Sequence, residues 1–256
     1  MAAIVKEPWE IEIMRDAGRI VADGLEMLEG MVRPGVSTAE LDGAFEKFVV
    51  SRGAYPTFKG YRGYVASICA SVNEEVVHGI PSFDRKLAEG DILSVDAGAT
   101  YKGYVGDSAV TFPVGKIGER AARLLDVTRG GLEAAILAMG PGVRLSRICR
   151  TIQQYAESRG YSVVKKYVGH GIGREMHEDP QVPNYVIDNY EFILKPGIVL
   201  ALEPMVNEGT DDVRVLKDQW TVVTKDGGWS AHFEHTVAVT PTGRDVLTRR
   251  RNEKNG

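Results

Sequence analysis

The chain has 256 residues, 43% of them hydrophobic, with 31 Lys and Arg against 35 Asp and Glu, giving a formal net charge of -4. That length supports one large domain or two small ones with a packed core, and the charge offers no electrostatic basis for nucleic-acid binding. Two cysteines as far apart as Cys69 and Cys149 make neither a zinc spacing nor a disulfide framework.

The first residues reach charge at Lys6 without an apolar run long enough for a signal peptide, and no stretch approaches a membrane span. A cytoplasmic protein without membrane partners is expected. Pro8 suits the first turn of a helix, and Ile11, Met14, Ala17, Val21, Leu25 and Leu28 follow the helical period. Ser37-Thr-Ala-Glu40 has capping-box spacing, with Leu41, Phe45 and Phe48 behind it and Gly53 as the stop. Strand signals follow over Asp91 to Ala97 and Ser108 to Val114. A second helical pair is predicted from about Glu119 to Ala138 and from Ser146 to Arg159, ended by Gly160. Further strands are predicted over Ile198 to Glu203, Gln219 to Thr224 and His232 to Val239. Helix, helix, strands, twice, predicts an α+β fold with helices packed on one face of the sheets.

The two runs share residues at one offset. Gly24-Leu25-Glu26 returns as Gly131-Leu132-Glu133, Pro34-Gly35-Val36 as Pro141-Gly142-Val143, Ser51-Arg52-Gly53 as Ser158-Arg159-Gly160, and Gly90 as Gly197, each 107 residues later. This points to an internal duplication, with halves of about 8–114 and 115–248 in a single domain and 249–256 as a flexible tail. The basic run Arg249-Arg250-Arg251 reads as part of that solvated tail. The same offset carries Asp96 onto Glu203. Asp107 and Glu234 are each followed by a Val three residues on in a strand, and pair in the same way. His170 maps back onto Gly63, so one half alone supplies an imidazole and two metal sites built there should differ in affinity.

Asp96, Asp107, His170, Glu203 and Glu234 form a hard, oxygen-dominated donor set, suited to Mn, Fe(II) or Co better than to a structural zinc and able to bridge two ions. A hairpin centred between Tyr101 and Lys102 would place Asp96 and Asp107 directly opposite each other. The alternative is a pair of solvated turn acids, but Asp96 follows the apolar stretch Ile92 to Val95. Strand alternation through Ala231 to Ala238 puts His232 on the face of Glu234 and His235 on the other. His170 lies in Tyr167-Val-Gly-His-Gly-Ile-Gly173, whose alternate glycines argue against helix and allow close backbone approach to a ligand. His177-Glu178 is not a zincin motif, since Pro180 forbids a long helix. A lone histidine is usually a satisfied polar residue, yet all five in this chain fall in these segments.

Asn73-Glu-Glu-Val-Val-His-Gly-Ile-Pro81, Ser94-Val-Asp-Ala-Gly98, Gly106-Asp-Ser108, Tyr167 to Gly173 with His177, Leu202-Glu-Pro204 and Phe233-Glu-His-Thr236 resemble the bacterial type I methionine aminopeptidases, over about Glu7 to Thr248. The resemblance implies a pita-bread fold: two pseudo-symmetric α+β halves around a curved antiparallel sheet covered by helices, with metals in the cleft. It implies removal of the initiator methionine from nascent peptides when the second residue is small, by a water or hydroxide bridging two divalent ions (Co, Mn, Fe(II) or Zn). Asp96 would hold one ion, His170 and Glu203 the other, and Asp107 and Glu234 both. Glu203 would also shuttle protons, His177 stabilise the oxyanion and His78 contact the scissile amide. Phe58, Tyr61, Tyr64, Cys69, Met176 and Trp220 would form the methionine pocket. Phe58 and Met176 depart from the family pattern, Met176 standing where Phe is usual, which leaves the pocket shape open. A monovalent cation near Asn73 and Ser230 and a transient ribosome contact are also implied; nothing in the sequence suggests an obligate dimer, and a monomer is expected.

Two other readings share this fold. Xaa-Pro peptidases usually carry a large N-terminal domain before the first helix pair, which this chain is expected to lack. Non-catalytic binding relatives generally lose metal ligands, and all five are present here. Glu234 stands 31 positions after Glu203, a spacing that leaves no room for the helical insertion of the type II class. A one-histidine set does not fit a single-metal oxygenase.

Overall fold

The computed structural model describes residues 3–187 and 190–253. Helix α1 (Pro8–Glu29) starts with Pro at its first turn, and Glu7 and Glu10 close a capping box, Glu7 N–H donating to Glu10 Oε2 at 2.8 Å. Helix α2 (Thr38–Ser51) is capped by Ser37, whose hydroxyl accepts from Glu40 N–H at 3.3 Å while Ser37 N–H donates to Glu40 Oε2 at 2.8 Å. Short strands β1 (Tyr55–Pro56), β2 (Ile68–Val72) and β3 (Glu75–Val77) precede the long hairpin β4 (Ile92–Tyr101) and β5 (Tyr104–Pro113). Helices α3 (Glu119–Ala138) and α4 (Leu145–Glu157) open the second half. The strands there are β6 (Ser162–Val163), β7 (Gly169–Gly171), β8 (Glu178–Val182), β9 (Val199–Leu202), β10 (Met205–Asn207), β11 (Val213–Val215), β12 (Val222–Thr224), β13 (Ser230–His232), β14 (His235–Thr240) and β15 (Gly243–Val246). The strand pairings among the described residues are antiparallel.

The 107-residue offset recurs in backbone geometry. It carries β1 onto β6 and the start of α2 onto the start of α4. The left-handed glycines Gly35, Gly53 and Gly90 recur as Gly142, Gly160 and Gly197, and the bridge Ser37–Lys86 recurs as Arg144–Ile193. The long strand β4 corresponds to β9 and β10 together, interrupted at Glu203-Pro204. Strand β5 corresponds at an offset of 127 to β13 and β14, interrupted at Phe233-Glu234; the added 20 residues accommodate the β11–β12 hairpin.

The single strand predicted over His232 to Val239 is thus two strands with Glu234 in the break. Strand β12 begins at Val222 rather than Gln219 because Gln219 takes a left-handed φ of 66° and Asp218 closes a turn onto the N–H groups of Trp220 and Thr221, both at 2.9 Å. The tail is also corrected. Arg250 is buried and pairs with Glu253, Arg251 reaches Asp23 at 2.9 Å, Asn252 reaches Glu29 at 2.9 Å, and Glu253 lies 3.4 Å from His235. The acidic face of α1 therefore holds residues 249–253 against the body, while 254–256 lie outside the described residues, as do Met1 and Ala2.

Two buried seams place the site. Helix α1 packs across β4 and β5, and the approach is backbone to backbone: a Cβ on Gly106 would stand 2.6 Å from Gly18 N. The two halves meet where β5 runs beside β13 and β14, joined by hydroxyls as well as by backbone. Thr236 Oγ1 donates to Asp107 O at 2.7 Å, Ser108 Oγ to Glu234 O at 2.6 Å, and Thr111 Oγ1 to His232 O at 2.9 Å, while Glu234 N–H donates to Ala109 O at 2.9 Å. Gly106→Ala should push α1 off β5 and lower stability by about 1–3 kcal/mol, the usual cost of overpacking. Urea unfolding measures this; an unchanged midpoint would show that the contact can open without cost.

Candidate metal centre and active-site cavity

The β4–β5 hairpin turns on Lys102-Gly103, both with positive φ (48° and 80°), the pattern of a two-residue primed turn. The turn centre lies between these residues, one position later than the sequence predicts, and Tyr101 pairs with Tyr104. Asp96 consequently faces Ala109, and Asp107 faces Gly98. The two aspartates are diagonal neighbours on one face rather than direct partners. Glu203 follows β9 at the strand break, its carbonyl accepting from Asn184 Nδ2 at 3.1 Å. Glu234 occupies the corresponding break between β13 and β14.

His170 projects from β7, between β9 and β8. The flanking glycines are required by the protein's own backbone rather than by a ligand: a Cβ on Gly169 would meet Ala201 O at 2.4 Å, and one on Gly171 would meet Asp179 O at 2.2 Å. His170 Nδ1 lies 3.0 Å from Gly171 O. A carbonyl can only accept, so Nδ1 carries the proton and Nε2 is left with its lone pair. That nitrogen is 3.3 Å from Glu203 Oε1.

Asp107, His170 and Glu234 each present a ligand atom, all within 4.8 Å of one another. Glu203 adjoins this group through His170, and Asp96 through the Asp107 carboxyl. Burial pushes Asp96 up to about 7. Burial first, and neighbouring carboxylates after it, hold Asp107, Glu203 and Glu234 well above the usual carboxylate range. Asp96 Oδ1, Asp107 Oδ1 and Glu234 Oε1 are buried without a hydrogen-bond partner. Buried carboxylate oxygens without donors, gathered on a bare imidazole nitrogen, fit divalent cations and little else.

These five residues share a cavity of about 290 Å³ with Phe58, Tyr61, Arg62, Tyr64, Cys69, His78, Tyr167, Met176, His177 and Trp220. Every residue expected at the site from the sequence is therefore on its wall. Arg62 and Tyr167 also line it; Tyr167 opens a quoted motif and Arg62 lies between Tyr61 and Tyr64, but nothing in their spacing marks them as wall residues. A larger groove of about 810 Å³ runs past Arg15, Arg244 and Arg249, but it is open and crossed by ion pairs such as Arg15–Asp245 at 2.6 Å and Arg249–Glu133 at 3.2 Å. It has no comparable apolar wall.

One wall of the cavity is a chain of edge-packed rings: Tyr64 against Trp220 at 5.0 Å, Trp220 against His78 at 6.2 Å, and His78 against Tyr167 at 5.5 Å. Tyr64 Oη donates to the carbonyls of Ile68 and Gly79, both at 3.0 Å, which fixes its ring. On the other wall Tyr61 Oη is 2.8 Å from His177 Nδ1, and the His177 ring lies 4.3 Å from that of His170. Burial lowers His78 to about 4 and His170 to about 3, and together with Arg62 lowers His177, so all three are neutral imidazoles at neutral pH. Burial likewise holds the Cys69 thiol protonated. His232 Nε2 lies 3.8 Å from Glu203 Oε2, whereas His235 turns away to Thr248 at 3.0 Å. At Asn73 the carbonyl accepts from Ser230 N–H at 2.9 Å, tying the turn before β3 to β13.

Residues 12–241 match the model of metallopeptidase family M24. The chain belongs to family M24. This M24 chain is 54% identical over 246 residues to methionine aminopeptidase 1 of Bacillus subtilis strain 168, covering 96% of this chain and 99% of the relative. It is 44% identical over 254 residues to methionine aminopeptidase of Escherichia coli K12, covering 99% and 96%. Its structure superposes on that of methionine aminopeptidase from Thermotoga maritima with a TM-score of 0.95, at 46% identity over 97% of this chain and all of the other. The Pyrococcus horikoshii prolidase shares the fold at a TM-score of 0.80 and 23% identity, with 65% of the prolidase covered. The architecture is the pita-bread fold of these enzymes.

Metal-free M24 protein must keep its clustered carboxyls protonated or pay for their repulsion. A carboxyl whose folded pKa is raised adds stability below its unfolded value of about 3.9 and loses it as pH rises through the folded value, about 7 for Asp96. Asp96→Asn should therefore stabilise chelator-treated protein by on the order of 1–3 kcal/mol near pH 8, with the gain shrinking towards pH 5. Contributions of the buried histidines cancel in this difference. Paired thermal melts across that range test it; no gain at the alkaline end would mean the carboxylates do not repel one another.

Proposed function

We propose that this chain removes the N-terminal methionine from nascent peptides whose second residue is small, in the cytoplasm, with divalent metal held by Asp96, Asp107, His170, Glu203 and Glu234. The observation that carries this reading is the direct continuity of two chemically opposite surfaces in one cavity: a carboxylate–imidazole cluster and an apolar slot of Phe58, Tyr64, Cys69, Met176 and Trp220. Sulfur atoms and aromatic faces suit a thioether side chain. The methionine aminopeptidases that the chain matches over nearly its full length support the same reading.

Divalent ions at this cluster would supply an activated water and a polarised scissile carbonyl. The oxygen-dominated donor set favours Mn, Fe(II) or Co over a structural zinc. Glu203, 3.3 Å from His170 Nε2 at the strand break, would accept a proton from the attacking water and return it to the leaving amine. His177 is neutral and held at Nδ1 by Tyr61, which leaves its other nitrogen for the charge that develops on the carbonyl oxygen. His78, fixed in a left-handed conformation with φ 60° against the Trp220 and Tyr167 rings, meets the substrate amide. A ribosome contact would follow from the use of nascent chains.

Hydrolysis of Met-Ala-Ser, with Xaa-Pro peptides as the contrast, tests the substrate class; cleavage of the Xaa-Pro peptides alone would overturn it. Glu203→Gln should lower turnover on the order of 10²–10⁴-fold, the usual scale of general acid–base catalysis, and weaken metal binding. His78→Ala should lower turnover with metal content intact by elemental analysis. Loss of metal in that variant would instead make His78 a ligand.

A further inference from the structure

Of the fifteen side chains that line the cavity, Arg62 is the one permanent cation. It is exposed, whereas Tyr64 beside it is buried, so it stands at the mouth. Its backbone is left-handed at φ 49° and ψ 24°, a conformation disfavoured for a non-glycine residue. Gly60 and Gly63 on either side also have positive φ, 87° and 89°, and Gly60 N–H donates to Tyr64 O at 2.7 Å, closing the loop that sets Arg62 there. The guanidinium lies over the Tyr61 ring, 5.4 Å from its centroid, and has no ion-pair partner among the described residues, unlike Arg15, Arg120 and Arg251. The other charge-bearing side chains of the cavity besides its histidines are four carboxyl groups, so Arg62 is the one lining residue that offers an acidic peptide a fixed positive charge.

We propose that Arg62 is a specificity-determining residue that receives a substrate carboxylate downstream of the methionine, so that peptides acidic at their third position are preferred over their neutral isosteres. This rests on the peptidase reading above. A peptide whose methionine fills the apolar slot must leave through the mouth, and there the guanidinium offers donors in a fork that matches a carboxylate. The carboxylate can be the side chain of residue three or the free C-terminus of a tripeptide.

The test is the ratio of kcat/KM for Met-Ala-Asp-amide over Met-Ala-Asn-amide, with Met-Ala-Asn as free acid and as amide to separate the two carboxylate sources. Because each ratio is taken within one protein, partial misfolding of a variant cancels. Wild type should favour the carboxylate by about two- to fivefold, the scale of an exposed charge pair. Arg62→Gln should bring the ratio to about one, and Arg62→Lys should retain most of it. At about 1 M salt, where the screening length is only ~3 Å, the wild-type preference should also collapse. A wild-type ratio of one, or a preference that survives in Arg62→Gln, overturns the assignment. If wild type cleaves none of the three peptides, the peptidase reading falls and this inference with it.

Discussion

Four carboxylates and one bare imidazole nitrogen buried in a single cavity are the constraint around which this molecule is organised. Two such charges about 5 Å apart repel by roughly 3 kcal/mol at an effective dielectric of about 20. Hydrogen bonds relieve this only in part, because Asp96, Asp107 and Glu234 each keep an oxygen without a donor. The fold carries a standing electrostatic cost that cations remove, and the surrounding structure is built to resist relaxation. Asp96 and Asp107 are fixed on one face by a ten-pair hairpin ladder. Glu203 and Glu234 sit where strands are interrupted, with their main-chain groups held by Asn184, Ser108 and Ala109.

The internal duplication explains how such a cluster is assembled. Each half contributes one acid from its first long strand and one from its second, and the second strands of the two halves run against each other along a seam of hydroxyl bridges from Ser108, Thr111 and Thr236. Acids from both halves are thereby brought into one cavity. The halves differ where the chemistry needs asymmetry. The first keeps both strands continuous; the second interrupts both at the acid itself, spaces them with the β11–β12 hairpin, and supplies His170 from β7. Burial then sets the histidines. His78, His170 and His177 are kept neutral, so each acts through a lone pair or an N–H and adds no further charge to the cavity.

Much of this was legible in the residues. Hydrophobic periodicity and capping patterns located the four helices, with α3 matching its expected bounds and α4 differing by a residue or two at its ends. The offset found in Gly-, Pro- and Arg-containing tripeptides is the offset of the left-handed turns, because glycine is the residue those conformations select. The chemistry of carboxylate and imidazole marked the five candidate ligands before any distance was known. Hairpin register depended on whether the turn centred between Tyr101 and Lys102 or between Lys102 and Gly103, and one position of slip in that centre moved Asp96 from opposite Asp107 to diagonal to it. The break at Glu234 and the docking of residues 249–253 onto α1 depend on long-range partners that no local window contains.

Local sequence therefore determined which segments are helix or strand, that the plan is written twice, and which side chains have the chemistry to hold cations, since each of these follows from residue type and short-range spacing. Only the tertiary structure decided that Asp107, His170 and Glu234 present ligand atoms within 4.8 Å of one another, that Arg62 and Tyr167 join the wall beside the aromatic slot, and that Glu253 reaches His235. Those outcomes rest on the packing of segments more than a hundred residues apart or on a terminus folding back. They are set by register and by seams between elements, which the identity of a residue and its neighbours in sequence does not specify.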